Sequence, residues 1–242
     1  MKTMLQQLLK PQSSLIAFSL YALSSLAWSA DEYRINYRIE RLDSNGVTTI
    51  QQYSDKMIRD EHNVWIERLN TQEHAHTEAG EHGHQSFDHA IQWLQKDKPS
   101  EMKTKDEAFQ RFYILPDEKM RVRLKDVEQE MLGMRSCWRC EYSLIQPDLL
   151  KHIPAIQSHA GVQHYQMHQA GQTLNIVWSE KDQIVERYEL RRPAQGYSKV
   201  FSVHKMKSPI STPWIQTEKY SDRDYSDFSD ESGSVILHFD VF

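Results

Sequence analysis

Apolar and polar side chains alternate strictly along residues 33–40: Tyr33, Ile35, Tyr37 and Ile39 are apolar, and Arg34, Asn36, Arg38 and Glu40 lie between them. Successive side chains of an extended chain point to opposite faces, so this segment needs one buried face and one wet face. A helix would scatter the same residues around its axis. The chain therefore must build a sheet with something packed on one side of it. Asp43-Ser44-Asn45-Gly46 follows at once, and Asn and Gly tolerate the positive φ that tight turns demand.

The same reading continues down the chain. Residues 47–53 and 63–69 read as two more strands, the second rich in Val, Ile and Trp. Ser86 is placed to cap a short helix with Phe87, Ile91 and Leu94 on one face. Residues 97–107 read as a charged linker. Residues 109–115 and 119–125 read as strands across a Pro116-Asp117 turn. Residues 147–156 read as a helix whose end Pro154 limits, and residues 131–145 as strand and turn. Ala170-Gly171 separates strands at 162–168 and 173–179, a hairpin signal. Further strands are expected at 183–190, 197–205 and 234–242. The sum is a mainly β fold: an antiparallel curved sheet or a partly open barrel of about nine strands, with one to three short helices. No internal repeat or composition break divides it.

An architecture of this kind, strands throughout with short helices between them, resembles the periplasmic lipoprotein carriers of the LolA/LolB-like type. Their curved sheets hold an apolar cavity plugged by helices. The resemblance covers architecture across most of the chain beyond residue 30 and rests on no motif, so it implies an apolar ligand, a lipid or lipoprotein, and transfers no residue.

The first residues point outward from the cytoplasm. Lys2 and Lys10 are the only charges before Asp31, residues 15–26 are apolar apart from serines, and Ala27, Ser29 and Ala30 are small. This is the pattern of a secretory signal peptide, expected to span residues 1–29 and to leave a single β-rich periplasmic domain at 30–242. The apolar run is shorter than the roughly 18–20 residues a lasting membrane anchor needs. The net charge of −5 becomes about −7 without the two lysines, which argues against nucleic acid or an anionic membrane surface as partner. Two cysteines in an exported chain do not make a disulfide scaffold.

Two constellations carry possible chemistry. Residues 71–89 form a polar loop containing His74, His76, His82, His84 and His89, with Gly80 and Gly83 between the two His-x-His pairs. Neutral imidazole is a common ligand of zinc, copper and nickel, so divalent transition metal, zinc or copper, is the expected ion; a solvated polar loop is the alternative. Cys137-Trp138-Arg139-Cys140 has Cys-x-x-Cys spacing, which suits a static disulfide, a redox pair activated by Arg135 and Arg139, or thiolate ligation of a metal. Glu141 follows where c-type haem attachment would need His.

Other signals are weaker. His164 and His168 fall on an expected strand, about 13 Å apart and too far for one ion. Residues 221–231 are acidic but lack calcium-loop spacing and read as a solvated loop. No nucleophile elbow, phosphate loop, dinucleotide fingerprint or His-Glu-x-x-His pair occurs. The sequence thus points to a binding protein rather than an enzyme. Metal binding through the histidine loop comes first, an apolar-ligand carrier or chaperone second, and a thiol-disulfide protein using Cys137 and Cys140 third.

Overall fold

A computed structural model describes residues 30–71, 90–95, 109–134 and 137–227. The expected signal peptide, most of the histidine loop, the charged linker and the last expected strand lie outside the described residues. Twelve strands form one sheet: β1 (Asp31–Leu42), β2 (Thr48–Arg59), β3 (Asn63–Thr71), β4 (Ala90–Gln95), β5 (Phe109–Leu115), β6 (Met120–Leu124), β7 (Ala155–His159), β8 (Val162–Gln169), β9 (Gln172–Ser179), β10 (Ile184–Arg192), β11 (Tyr197–Lys205) and β12 (Ser221–Asp224). Their order is β12-β6-β5-β4-β3-β2-β1-β11-β10-β9-β8-β7. Every pairing is antiparallel except β12 with β6. The sheet does not close into a barrel, as an open curved sheet requires.

β1 is the middle of the molecule. It pairs with β2 on one side and with β11, about 165 residues later in the chain, on the other. Two meanders, β1–β6 and β7–β11, thus meet along β1 and form two wings. The alternation that opens the sequence is realised here: Tyr33, Ile35, Tyr37 and Ile39 are buried, while Arg34 and Arg38 are exposed.

Three short α-helices pack on the sheet: α1 (Asp126–Met131), α2 (Trp138–Ser143) and α3 (Pro213–Thr217). α2 touches both β4 and β10, which are five places apart in the strand order. A flat sheet would hold those strands about 24 Å apart, so the face under α2 is concave. The main core lies there, built from Tyr33, Ile35, Met57, Trp93, Trp178 and Phe201 among others, and Trp138, Ile145, Leu150 and Ile153 close over it. On the convex face the first wing is covered: Trp214 of α3 packs with Ile58, Trp65, Phe112 and Ile114.

Four sequence expectations are corrected. The segment carrying Ile91 and Leu94 is strand β4, not part of a helix, because pairing with β3 and β5 buries residues on both of its faces and masks the period. Residues 138–143, read as strand and turn, are helix α2. The helix expected at 147–156 is a shorter 3₁₀ helix, Pro147–His152, and β7 begins just after Pro154. The acidic segment at 221–231 supplies β12, whose Asp222 and Asp224 pair with Arg121 and Arg123 at 2.6 and 2.7 Å. Asp222 and Asp224 thus mark a sheet edge rather than a solvated loop. Strands and helical segments both outnumber the expectation, with five short helical segments in place of one to three.

Candidate functional site

The concave face changes character along its length. At the end where β1 begins, α2 plugs it. Arg59, only 2% exposed, holds the plug in place. Its guanidinium donates to the backbone oxygens of Tyr142 on α2 and of Asp182 in the β9–β10 turn, and to the Tyr33 hydroxyl at 3.2 Å. It also lies over the Tyr142 ring, 4.0 Å from the centroid. A planar fork with five donors can tie a helix, a strand and a turn together while lying flat on a ring. A second tie joins Arg111 of β5 to Glu141 of α2 at 3.1 Å. Burial pushes Glu141 up to about 7 against the opposing pull of Arg111.

Cys137 and Cys140 belong to this plug. They form a disulfide, with Cα atoms 5.2 Å apart, and Cys137 caps the helix by accepting the Cys140 N–H. Between them Trp138 is buried, its ring 6.2 Å from Phe109 and 6.1 Å from Tyr142. Arg139 reaches away to Asp148 at 3.2 Å. The bond therefore fixes the turn that seats Trp138, and Arg139 is engaged elsewhere rather than activating a thiolate.

Past the plug, one row of side chains runs across six strands: Tyr53, Tyr37, Phe201, Tyr188, Ile176 and Tyr165 sit at successive register positions from β2 to β8. Tyr37 stacks on Tyr53 at 4.7 Å and Tyr188 on Phe201 at 5.0 Å. Arg68 covers the outer face of Tyr53 at 3.7 Å and pairs with Asp55 at 2.5 Å. Asp55 is 1% exposed and its Oδ2 has no hydrogen-bond partner, so burial, set against the pull of Arg68, lifts it to about 6. The next row carries Ile39, Lys199, Leu190, Leu174 and Met167.

Burial divides these rows into a floor and a surface. Tyr37, Phe201, Ile176 and Leu174 are buried, whereas Tyr53, Tyr188, Leu190, Tyr165 and Met167 are only partly so. The result is a contiguous apolar strip on the concave side of the second wing, with few polar groups set into it. Such a surface can take an apolar chain without requiring polar groups to be stripped of water.

The residues singled out in the sequence fall mostly elsewhere. His74, His76, His82, His84 and His89 lie outside the described residues. His164 and His168 stand on the convex face of β8, and the His168 ring nitrogen is 3.1 Å from Thr173 Oγ1. Among the described residues, no group of three or more His, Cys, Asp or Glu is arranged to hold a metal ion. Sequence reasoning did not find Arg59, the Asp55–Arg68 pair or the aromatic row. The row's local trace is the even spacing of aromatic residues, since its members come from strands up to about 165 residues apart.

No protein-family model matches the chain, and no curated protein matches its sequence. Solved structures do match it. A DUF1329 family protein from Desulfovibrio piger is 8% identical, with 80% of this chain and 91% of that one covered and a TM-score of 0.37. A LolA superfamily protein from Nitrosomonas europaea is 9% identical over 78% of this chain and 90% of that one, with a TM-score of 0.31. A putative outer membrane lipoprotein-sorting protein domain from Vibrio parahaemolyticus is 7% identical over 80% and 91%, with a TM-score of 0.33. The likeness is one of architecture. No motif accompanies it, and no residue role is carried across.

Proposed function

We propose that the protein is an exported, non-enzymatic binding protein that holds an apolar ligand, a lipid or an acylated chain, on the concave face of its sheet. The observation that carries this is the partly exposed strip of Tyr188, Leu190, Tyr165 and Met167 lying on a buried floor of Phe201, Ile176 and Leu174. A negative net charge keeps a chain with such a strip in solution. The Arg59 clasp and the disulfide hold α2 at the far end, so the strip needs no rearrangement to receive a ligand.

The test is calorimetric titration with a series of uncharged monoacylglycerols of increasing chain length. Affinity is expected to rise by about 0.8 kcal/mol for each methylene that becomes buried. Replacing Leu190 and Met167 together by Asn should weaken binding about tenfold or more. Absence of saturable binding across the series, or equal affinity in the double variant, sinks the proposal.

A further inference from the structure

The two rows beyond the plug have an uneven charge. On the concave side of β1, β2 and β8–β11, from the Tyr37 row outward, the described side chains are apolar, aromatic, amide, hydroxyl or cationic. Among the described residues, no carboxylate faces inward there. Glu40 and Glu189 alternate onto the convex side, and Glu189 pairs with Arg187 and Arg191. Asp43, in the turn after β1, accepts the backbone N–H groups of Asn45 and Val47, each at 2.8 Å. Against this the same rows carry three cations. Lys199 sits between Ile39 and Leu190, with its Nζ 6.0 Å from the centre of the Tyr37 ring. Arg41 and Arg192 follow one row further out, on either side of Tyr197. Arg192 donates to Gln172 at 3.1 Å, and neither arginine has an ion-pair partner among the described residues.

Resting on the apolar-ligand reading above, we infer that the concave strip selects a single-chain amphiphile with an anionic head, whose carboxylate or phosphate is held by Arg41, Lys199 and Arg192. Its chain lies along Tyr188, Leu190 and Met167. The geometry has the order such a ligand needs: an apolar floor first, then cations at the outer end, where the head stays near water. Burial and the neighbouring Arg41 charge both make the ammonium of Lys199 less comfortable and hold its pKa below the ordinary lysine range. An arriving anion would relieve both effects. Planar guanidinium groups suit carboxylate and phosphate oxygens equally.

The experiment compares three probes of one chain length on the chain as exported: laurate, dodecyl phosphate and the uncharged glyceryl ester monolaurin. Laurate and dodecyl phosphate are expected to bind about tenfold more tightly than monolaurin, the worth of one well-formed charge contact. Arg41→Gln and Lys199→Gln should each bring that ratio towards one. Arg41 is exposed, so its variant folds whether or not Lys199→Gln does. Arg34→Gln on the convex face should leave the ratio unchanged. If monolaurin binds as tightly as laurate, or the ratio survives both substitutions, the anionic-head inference falls while the apolar-ligand reading stands. If none of the three binds, both fall together.

Discussion

β5 and β8 are strands of nearly equal length in the same sheet, yet six of the seven residues of β5 are buried and none of the eight in β8 is. The cause is what lies over them. β5 is covered on the convex face by Trp214 and on the concave face by Trp138, Met134 and Tyr225, so five of the seven residues of Phe-Gln-Arg-Phe-Tyr-Ile-Leu are apolar. β8 reads Val-Gln-His-Tyr-Gln-Met-His-Gln, with a polar convex face and a half-covered concave one. The first wing is therefore a frame held from both sides. Among the described residues the second wing keeps an apolar face without a complete cover, and that asymmetry separates a doubly packed part of the sheet from a half-exposed one.

The largest expected effect tests that division directly. Phe112→Ala in the frame should cost about 3–5 kcal/mol, because a buried ring leaves a cavity between sheet and helix. Met167→Ala on the strip should cost about 1 kcal/mol, since its side chain is already partly hydrated. Urea unfolding of both variants measures the difference; equal losses would mean that the second wing is as fully packed as the first.

Next comes the clasp. Arg59→Met removes a buried guanidinium from three backbone oxygens and a hydroxyl, and is expected to cost about 3 kcal/mol. Hydrogen exchange should show α2 opening before the strands of the first wing. Uniform loss of protection would place Arg59 in the general core rather than at the junction of plug and sheet.

The disulfide should matter less. Its loop is short, so replacing Cys137 and Cys140 by Ser should lower stability by about 2 kcal/mol while the chain stays folded. The same variant should leave lipid binding at the second wing intact. A thermal melt together with a binding titration checks both halves. Rapid turnover of the wild-type pair in a dithiol-oxidation assay would instead favour a redox role.

The smallest effect is one of pH. The folded-state pKa values of Asp55, about 6, and Glu141, about 7, are raised above the ordinary 3.8 and 4.5. The folded state therefore holds these protons more tightly than the unfolded chain does. Their contribution is fully present below about pH 4 and is lost as the pH rises from about 4 to 7. Glu141→Gln and Asp55→Asn should each flatten that part of the stability profile, as read by urea midpoints across the range. An unchanged slope in both variants would show that neither carboxyl is as buried as its surroundings imply.

Local rules determined much of this molecule. Alternation placed β1 and put Tyr33, Ile35, Tyr37 and Ile39 inward, and turn residues set the β8–β9 hairpin at Ala170-Gly171. Spacing alone made Cys137 and Cys140 a candidate disulfide. These features depend on neighbours within a few residues, so the chain states them directly. Other features depend on distant strands. β4 hid its period because it is buried on both faces, and β12 looked like an acidic loop until β6 supplied its arginines. The row from Tyr53 to Tyr165 and the cations at its outer end exist only because β1 pairs with both β2 and β11. Register between strands far apart in the chain is fixed by the whole sheet folding at once. Side chains such as Lys199 and Arg41 therefore become neighbours only in the tertiary structure.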